Sequence, residues 1–215
     1  MTDPRWARLV AASGIVFVLL FVLAQVIGGQ PGAAPDVVQY FIDNRERGLA
    51  QSFLAGVASI FFLGFLGSVW SYLRAAEGGS GQLSAVAFAG GILTLGFLML
   101  SLTVTTALAA GMAENADPDT SRAFYGLVIV ASDLTFFPVV AFTGASALVI
   151  LRTKALPGWL GWLGAVVAVL SLSRGTAFFV ESGPFSSAGV LEIVAIMAFI
   201  LWILLTSILL VRRVG

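Results

Sequence analysis

Six long apolar stretches, separated by short polar connections, constrain this chain more than any other feature. A helix needs about 20 predominantly apolar residues to cross the ~30 Å hydrocarbon core of a bilayer, and several of the stretches reach that length. A helix satisfies its own backbone hydrogen bonds, which lipid cannot do for it. The composition agrees, since 59% of the residues are apolar, 10% are charged and the mean hydropathy is +1.03. The sequence therefore predicts an all-α, polytopic membrane protein.

We predict a single domain, residues 1–215, that contains six transmembrane helices. The spans cover about residues 9–27, 49–73, 83–110, 123–151, 159–180 and 188–211. The first stretch is longer than the apolar core of a signal peptide and has no convincing cleavage site before Gly28, so we expect a retained helix. No linker or low-complexity tract divides the sequence.

A short amphipathic segment lies between the first and second spans. Its apolar residues Val37, Val38, Phe41 and Ile42 recur at helical spacing, and its polar residues lie mainly on the opposite face. This pattern predicts a short helix in the membrane interface, over the mouth of the bundle. Two interpretations stay open for it, a packed connector and a moving lid.

Lysine and arginine are distributed unevenly between the two sets of loops, which predicts the orientation. Seven basic residues lie on the side of the N-terminus: Arg5, Arg8, Arg74, Arg152, Lys154, Arg212 and Arg213. Three lie in the opposite loops, together with most of the acids: Arg45, Arg47 and Arg122. The positive-inside rule then predicts a multi-pass protein of the cell (cytoplasmic) membrane with both termini in the cytoplasm.

Two residue types are absent from the sequence, and their absence excludes several kinds of catalytic and metal site. The chain has no Cys and no His, so disulfides, thiolate nucleophiles, His-ligated haem or zinc and imidazole proton relays are excluded. We therefore predict no cofactor, no metal site, no catalytic residue and no enzyme activity. The formal net charge of zero indicates no nucleic-acid partner. The predicted partners are the lipid bilayer and a lipid or amphipathic small molecule, while the oligomeric state stays open.

Three ionisable residues lie inside the predicted spans: Asp133, Arg174 and Glu192. At 1.5 Å per residue, their depths below the outer ends of their helices are about 16, 9 and 6 Å. Charges at such depths are costly and face the interior of a bundle, where they find partners. Since the three helices follow one another in the chain, we expect a cluster of the three side chains in the outer half of the membrane.

Other polar residues are predicted at the same depth, so we expect a polar pocket that opens outward and is closed by apolar residues toward the cytoplasm. The candidate pocket and charge cluster comprises Asp133, Arg174, Glu192, Ser171, Glu181, Thr105 and Gln25. Two acids face one base, so one carboxyl is in surplus. It is either protonated, because burial disfavours the charged form, or paired with Arg122, Arg45 or Arg47.

Three segments of the chain resemble a family of six-pass integral membrane proteins of bacteria, of the actinobacterial type, that has no assigned activity. They are Tyr40–Arg45, the stretch from Asp117 to Tyr125, and Arg152–Gly164 with its repeated Trp-Leu-Gly. The resemblance covers most of the chain from about Pro35 onward. It implies a six-helix membrane fold and a membrane location, and it implies no mechanism.

The sequence leaves several roles open for the charge cluster. It could simply fasten three helices together, or it could line a binding pocket. We favour a binding or accessory membrane protein for a lipid or small molecule, with a small proton-coupled secondary transporter as the alternative. Pro138 in the fourth span has no counterpart in the first, which argues against the inverted repeats of many transporters.

Overall fold

The computed structural model describes residues 4–29, 36–175 and 190–213, with the backbone alone for residues 4–7. Within these ranges the chain forms helices and no strand. The described helices are α1 (Pro4–Gly28), α2 (Val37–Asp43), α3 (Arg45–Glu77), α4 (Gln82–Ala107), α5 (Ala113–Asn115), α6 (Pro118–Thr153), α7 (Gly158–Arg174) and α8 (Val190–Arg213). A π-helical turn, Leu108–Met112, joins α4 to α5.

Five of the described helical stretches are long and apolar enough to cross a membrane. They are Arg8–Gly28, Arg45–Glu77, Gln82–Asn115, Pro118–Thr153 and Val190–Arg213. The all-α, polytopic membrane fold is therefore confirmed. The sixth apolar helix, α7, is described over 17 residues, which is shorter than a typical span. Part of its predicted range, 159–180, lies outside the described residues, so the count of six spans stays a prediction.

The six long helices form a closed ring. Each packs against its neighbour in the chain, in the order α1, α3, α4, α6, α7, α8, and α8 returns to α1. The closing contact joins the start of α1 to the end of α8, where the Ser207 hydroxyl donates to the Ala11 carbonyl. The short described connections, from α3 to α4 and from α6 to α7, make these neighbours antiparallel. The ring therefore has two opposite faces, and each long helix contributes one end to each face.

The α4–α6 contact is the most extensive in the ring and depends on a glycine. A Cβ atom on Gly90 would lie 2.6 Å from the Phe142 backbone nitrogen and 2.9 Å from the Pro138 carbonyl oxygen. Such distances are shorter than van der Waals contact, so only glycine lets the two backbones approach this closely. Pro138 is buried within α6 at this contact, and the helix continues through it.

Aromatic side chains fill the centre of the ring, toward the face that contains the termini. Phe142 is their hub, and its ring centroid lies 5.3 Å from Trp202, 6.2 Å from Phe199, 6.3 Å from Phe62 and 6.4 Å from Phe65. All four pairs meet edge to face, which is a favourable arrangement for aromatic rings. Trp202, Phe62 and Phe65 are fully buried. We call these five residues the aromatic plug.

Helix α2 docks at the opposite end of the ring. Its Val38 and Phe41 are buried in a small cluster with Leu108, Ala109 and Ala113, separate from the main core. The helix begins at an N-cap where the Asp36 carboxylate accepts a hydrogen bond from the Val38 backbone nitrogen at 3.0 Å. The amphipathic helix predicted between the first two spans is therefore present, covering one end of the bundle.

The predicted apolar face of α2 is only partly buried against the bundle. Ile42 was placed on this face with Val38 and Phe41, and it is 39% exposed. Successive residues of a helix are about 100° apart, so the contact centred between Val38 and Phe41 leaves Ile42 at its edge. A helix of 7 residues buries too narrow a stripe to include it.

The orientation can be tested because the chain has no natural Cys. We expect Glu114→Cys to react with a membrane-impermeant thiol reagent in intact cells, and Ser80→Cys to react only after permeabilisation. Both positions are exposed, and they lie in connections at opposite ends of the ring. The reverse labelling pattern would place the termini outside.

The close α4–α6 approach predicts that Gly90→Ala lowers the thermal midpoint of the purified protein. The matched control is Gly96→Ala in the same helix, where a Cβ would meet nothing within 4 Å. We expect the control to be neutral or stabilising by up to about 1 kcal/mol, since alanine favours a helix over glycine. Equal effects of the two changes would contradict the contact.

Candidate functional site

A cavity of about 310 Å³ lies inside the ring, on the side of the aromatic plug away from the termini. Seven helices contribute to its wall, and α2 covers it with Tyr40 and Phe41. Its apolar lining includes Phe17, Phe21, Leu95, Leu98, Met99, Leu102, Val128, Phe136, Val139, Ile196, Phe199 and Ile200. Its polar lining includes Gln25, Asn44, Gln51, Ser59, Thr94, Ser101, Thr105, Ser132, Thr135, Ser171 and Glu192. The cavity is thus amphipathic.

Most of the long helices present one stripe of residues to the cavity, and α7 contributes Ser171. On α6 the stripe runs through Tyr125, Val128, Ser132, Thr135 and Val139, which recur at the spacing of one helix face. On α8 it runs through Glu192, Ile196, Phe199 and Ile200. Most of these residues were missed by the sequence reasoning, which considered depth and charge. The signal available was the recurrence of small polar residues at helical spacing within an apolar span.

Asp133 and Arg174 form a buried ion pair between α6 and α7. Arg174 Nη2 donates to Asp133 Oδ1 at 2.7 Å, and the side chains are 0% exposed for Arg174 and 6% exposed for Asp133. The Arg174 guanidinium carbon also lies 5.2 Å from the centre of the Phe136 ring, a cation–π distance. The attraction between two such charges is strong in a low-dielectric interior, and removing either partner leaves a buried charge that is costly.

The structure brings the three ionisable residues of the predicted cluster together, with Arg174 Nη2 within 4 Å of both carboxylates. Asp133 and Arg174 do not themselves line the cavity. Asp133 comes directly after Ser132, which does line the cavity, and the turn of about 100° between adjacent helix positions directs the carboxylate toward α7 instead. The ion pair therefore lies behind the wall.

Glu192 is the member of the charge cluster that faces the cavity. Its Oε2 lies 3.9 Å from Arg174 Nη2, which is beyond hydrogen-bond distance, and its side chain is 29% exposed. Among the described basic side chains, Arg174 alone comes within 4 Å of this carboxylate. Glu192 is therefore attracted to the Arg174 guanidinium, but Arg174 Nη2 donates its hydrogen bond to Asp133.

The predicted alternative partners of the surplus acid are engaged elsewhere. Arg122 Nη1 lies 2.8 Å from Asp119 Oδ1 on the exposed start of α6. Arg45 Nη2 donates to the Ala110 carbonyl at 3.3 Å. None of the three alternative bases, Arg122, Arg45 and Arg47, forms an ion pair with Glu192 in the described structure.

Ser171 lines the cavity and is 1% exposed. Its hydroxyl has no hydrogen-bond partner in the part of the chain that the structure describes. Buried hydroxyls in proteins are nearly always hydrogen-bonded, to protein or to another molecule. The Ser171 hydroxyl is therefore one of a few buried polar groups whose hydrogen bond the described residues do not supply.

The remaining predicted residues have local hydrogen bonds. Gln25 Oε1 accepts from Gln51 Nε2 at 2.9 Å across the α1–α3 contact, and both amides line the cavity. Thr105 Oγ1 donates to the Ser101 carbonyl at 2.9 Å, one turn back in its own helix. Glu181 lies outside the described residues.

Residues of α2 that cover the cavity were not predicted as site residues. The Tyr40 hydroxyl donates to the Gly28 carbonyl at 2.8 Å and thereby holds α2 to the end of α1. The Phe41 and Tyr125 rings meet with centroids 6.0 Å apart, which connects α2 to α6. The amphipathic pattern of the segment indicated a helix but could not show which of its residues would reach the cavity.

Within the described residues, no group of three or more acidic, Cys or His side chains could hold a metal ion. Comparison with family models, with curated proteins and with solved structures finds no match. The resemblance to a six-pass bacterial family therefore stays a prediction. What the geometry defines is an amphipathic cavity with a carboxylate and a buried hydroxyl in its wall, inside a helical membrane protein.

The cluster predicts an order of stability losses among three neutral variants. We expect Arg174→Gln to lower the unfolding free energy most, by about 3–5 kcal/mol, because it leaves two carboxylates without their base. Asp133→Asn should cost less, since Arg174 retains Glu192, and Glu192→Gln should cost least. Unfolding of the purified variants in detergent measures the order.

A double-mutant cycle serves as the control for this order. The variant that combines Asp133→Asn with Arg174→Gln should lose less stability than the sum of the single losses, because neither change then leaves a buried unpaired charge. Strictly additive losses, or a loss for Glu192→Gln as large as that for Arg174→Gln, would contradict the arrangement.

Proposed function

We propose that this membrane protein binds a small amphipathic molecule in the cavity enclosed by its helices. The observation that carries the proposal is the cavity of about 310 Å³ inside the bundle, whose wall combines apolar side chains with hydroxyl, amide and carboxyl groups. A largely apolar pocket with a few polar groups is typical of a small-molecule binding site.

The size of the cavity limits the ligand. A volume of about 310 Å³ corresponds to the share of roughly ten water molecules in the liquid, at the lower end of small-molecule pockets. That space suits an amphiphile with about ten non-hydrogen atoms, or the end of a longer chain. A complete phospholipid is far larger than this volume.

The distribution of polar and apolar groups supports an amphipathic ligand over a wholly apolar one. Phe17, Leu95 and Val139 line the part of the cavity next to the aromatic plug, whereas Ser171 and Glu192 belong to the ends of α7 and α8 farther from it. A ligand would place its apolar part toward the plug and its head group toward α7 and α8.

The location that we propose rests on the distribution of basic residues. The cytoplasmic membrane with both termini inside would direct the cavity end of the bundle outward. In this arrangement, the protein would take its ligand from the outer leaflet or from the outer aqueous phase. Its role would then be that of a binding or accessory component of a bacterial membrane, and not that of an enzyme.

A proton-coupled transporter is the second candidate function, and Glu192 is the observation that favours it. A carboxylate that faces a cavity within a membrane span can carry a proton. The aromatic plug argues against it, because Phe142 and its four neighbours close the route toward the side of the termini. Transport would require this packed cluster to open.

Filling the cavity tests the binding function. We expect the wild-type protein to retain a small non-covalent adduct in native mass spectrometry, and Ala55→Phe, which places a ring in the cavity, to lose it. The matched control is Ala50→Phe on the lipid-exposed surface of the same helix, which should keep the adduct. The proposal fails if the wild type carries no adduct or if Ala55→Phe carries the same one.

A further inference from the structure

We infer that the ligand of this cavity carries a positive charge, and that Glu192 is its counterion. The inference rests on the proposed binding function. It specifies the class of ligand as a small cationic amphiphile, such as an organic ammonium with a short apolar chain. Three observations support it: the charge balance of the cluster, the geometry of Glu192, and the groups that surround it in the wall.

The charge balance of the cluster is negative. Asp133 and Arg174 neutralise each other at 2.7 Å, which leaves the Glu192 carboxylate in surplus. Arg122 and Arg45 are engaged with Asp119 and with the Ala110 carbonyl, and neither they nor Arg47 form an ion pair with Glu192. In the sequence between Gly175 and Val190, the one charged residue is another acid, so that segment contributes no further base.

The geometry of Glu192 leaves it available to a ligand. Arg174 Nη2 is hydrogen-bonded to Asp133, and the 3.9 Å distance to Glu192 is too long for a second hydrogen bond. The carboxylate is partly exposed and belongs to the cavity wall. Because the effective dielectric constant inside a helical bundle is lower than in bulk water, a cation there would be attracted more than on an open surface.

The other groups in this part of the wall suit an ammonium head. Ser171 lines the same cavity, and a serine hydroxyl can accept a hydrogen bond from an N–H donor. Tyr125 also lines the cavity, and aromatic faces attract organic cations. An anionic head would instead be repelled by the Glu192 carboxylate.

Three probes of nearly equal size and different charge test the inference: octylammonium, octanol and octanoate. Each is titrated into protein in nanodiscs of zwitterionic lipid, and empty nanodiscs correct for partition into the bilayer. We expect octylammonium to bind wild-type protein about tenfold or more tightly than octanol, and octanoate to bind most weakly. Calorimetric titration, or the rise in thermal midpoint, gives the three affinities.

The matched variants are Glu192→Gln in the cavity and Glu46→Gln on the exposed start of α3. Glu192→Gln should reduce the preference for octylammonium over octanol to near unity and leave octanol binding in place. Glu46→Gln should keep the wild-type preference. Thermal unfolding of each variant shows that it is folded.

The outcomes separate this inference from the proposed function. If octanol and octylammonium bind equally well, or if Glu192→Gln keeps the preference, the charge inference is overturned while binding in the cavity stands. Tighter binding of octanoate would overturn it as well. If no probe binds beyond the empty nanodisc, or if Ala55→Phe binds all three as wild type does, both the inference and the proposed function fail.

Discussion

A charge inside a bilayer has to find its partner within the protein, and the Asp133–Arg174 pair meets this constraint by coupling two helices. The 2.7 Å hydrogen bond joins the middle of α6 to the end of α7 in an apolar environment, so these two helices cannot rotate independently. The pair also determines which carboxylate is hydrogen-bonded to Arg174 Nη2, and Glu192 is not that carboxylate. Because the guanidinium hydrogen-bonds to Asp133, the third charge is left 3.9 Å away at the cavity wall.

The ring around this pair is closely packed in the half that contains the termini. Six glycines in this half would place a Cβ 3.0 Å or less from an atom of a neighbouring helix: Gly14, Gly64, Gly90, Gly91, Gly161 and Gly164. Small residues at helix contacts allow close packing without the hydrophobic effect, which is absent between helices in lipid. In the other half, the space between the helices forms the cavity and is lined in part by hydroxyl and amide side chains.

The fold could be predicted from the sequence to a large extent, because a span length and an amphipathic pattern are local properties. The residues at which the helices begin and end were harder to predict. Helix α6 begins at Pro118, ahead of the apolar stretch, since the Asp117 carboxylate accepts hydrogen bonds from the Asp119 and Thr120 backbone nitrogens. A hydropathy pattern does not predict such N-caps. The aromatic plug also escaped prediction, because Phe142, Phe199 and Trp202 meet through contacts between distant helices.

By itself, the sequence determined that the chain is a helical membrane protein, that its chemistry uses neither Cys nor His, and that three ionisable residues lie within apolar spans. Composition and run length are enough for these statements, since the cost of exposing backbone and charge to lipid applies to each segment separately. Only the tertiary structure decided that Ser132 faces the cavity while Asp133 faces Arg174, and that Glu192 reaches the wall. The rotation of a helix about its axis depends on all of its neighbours at once, and a single residue of offset turns a side chain by about 100°.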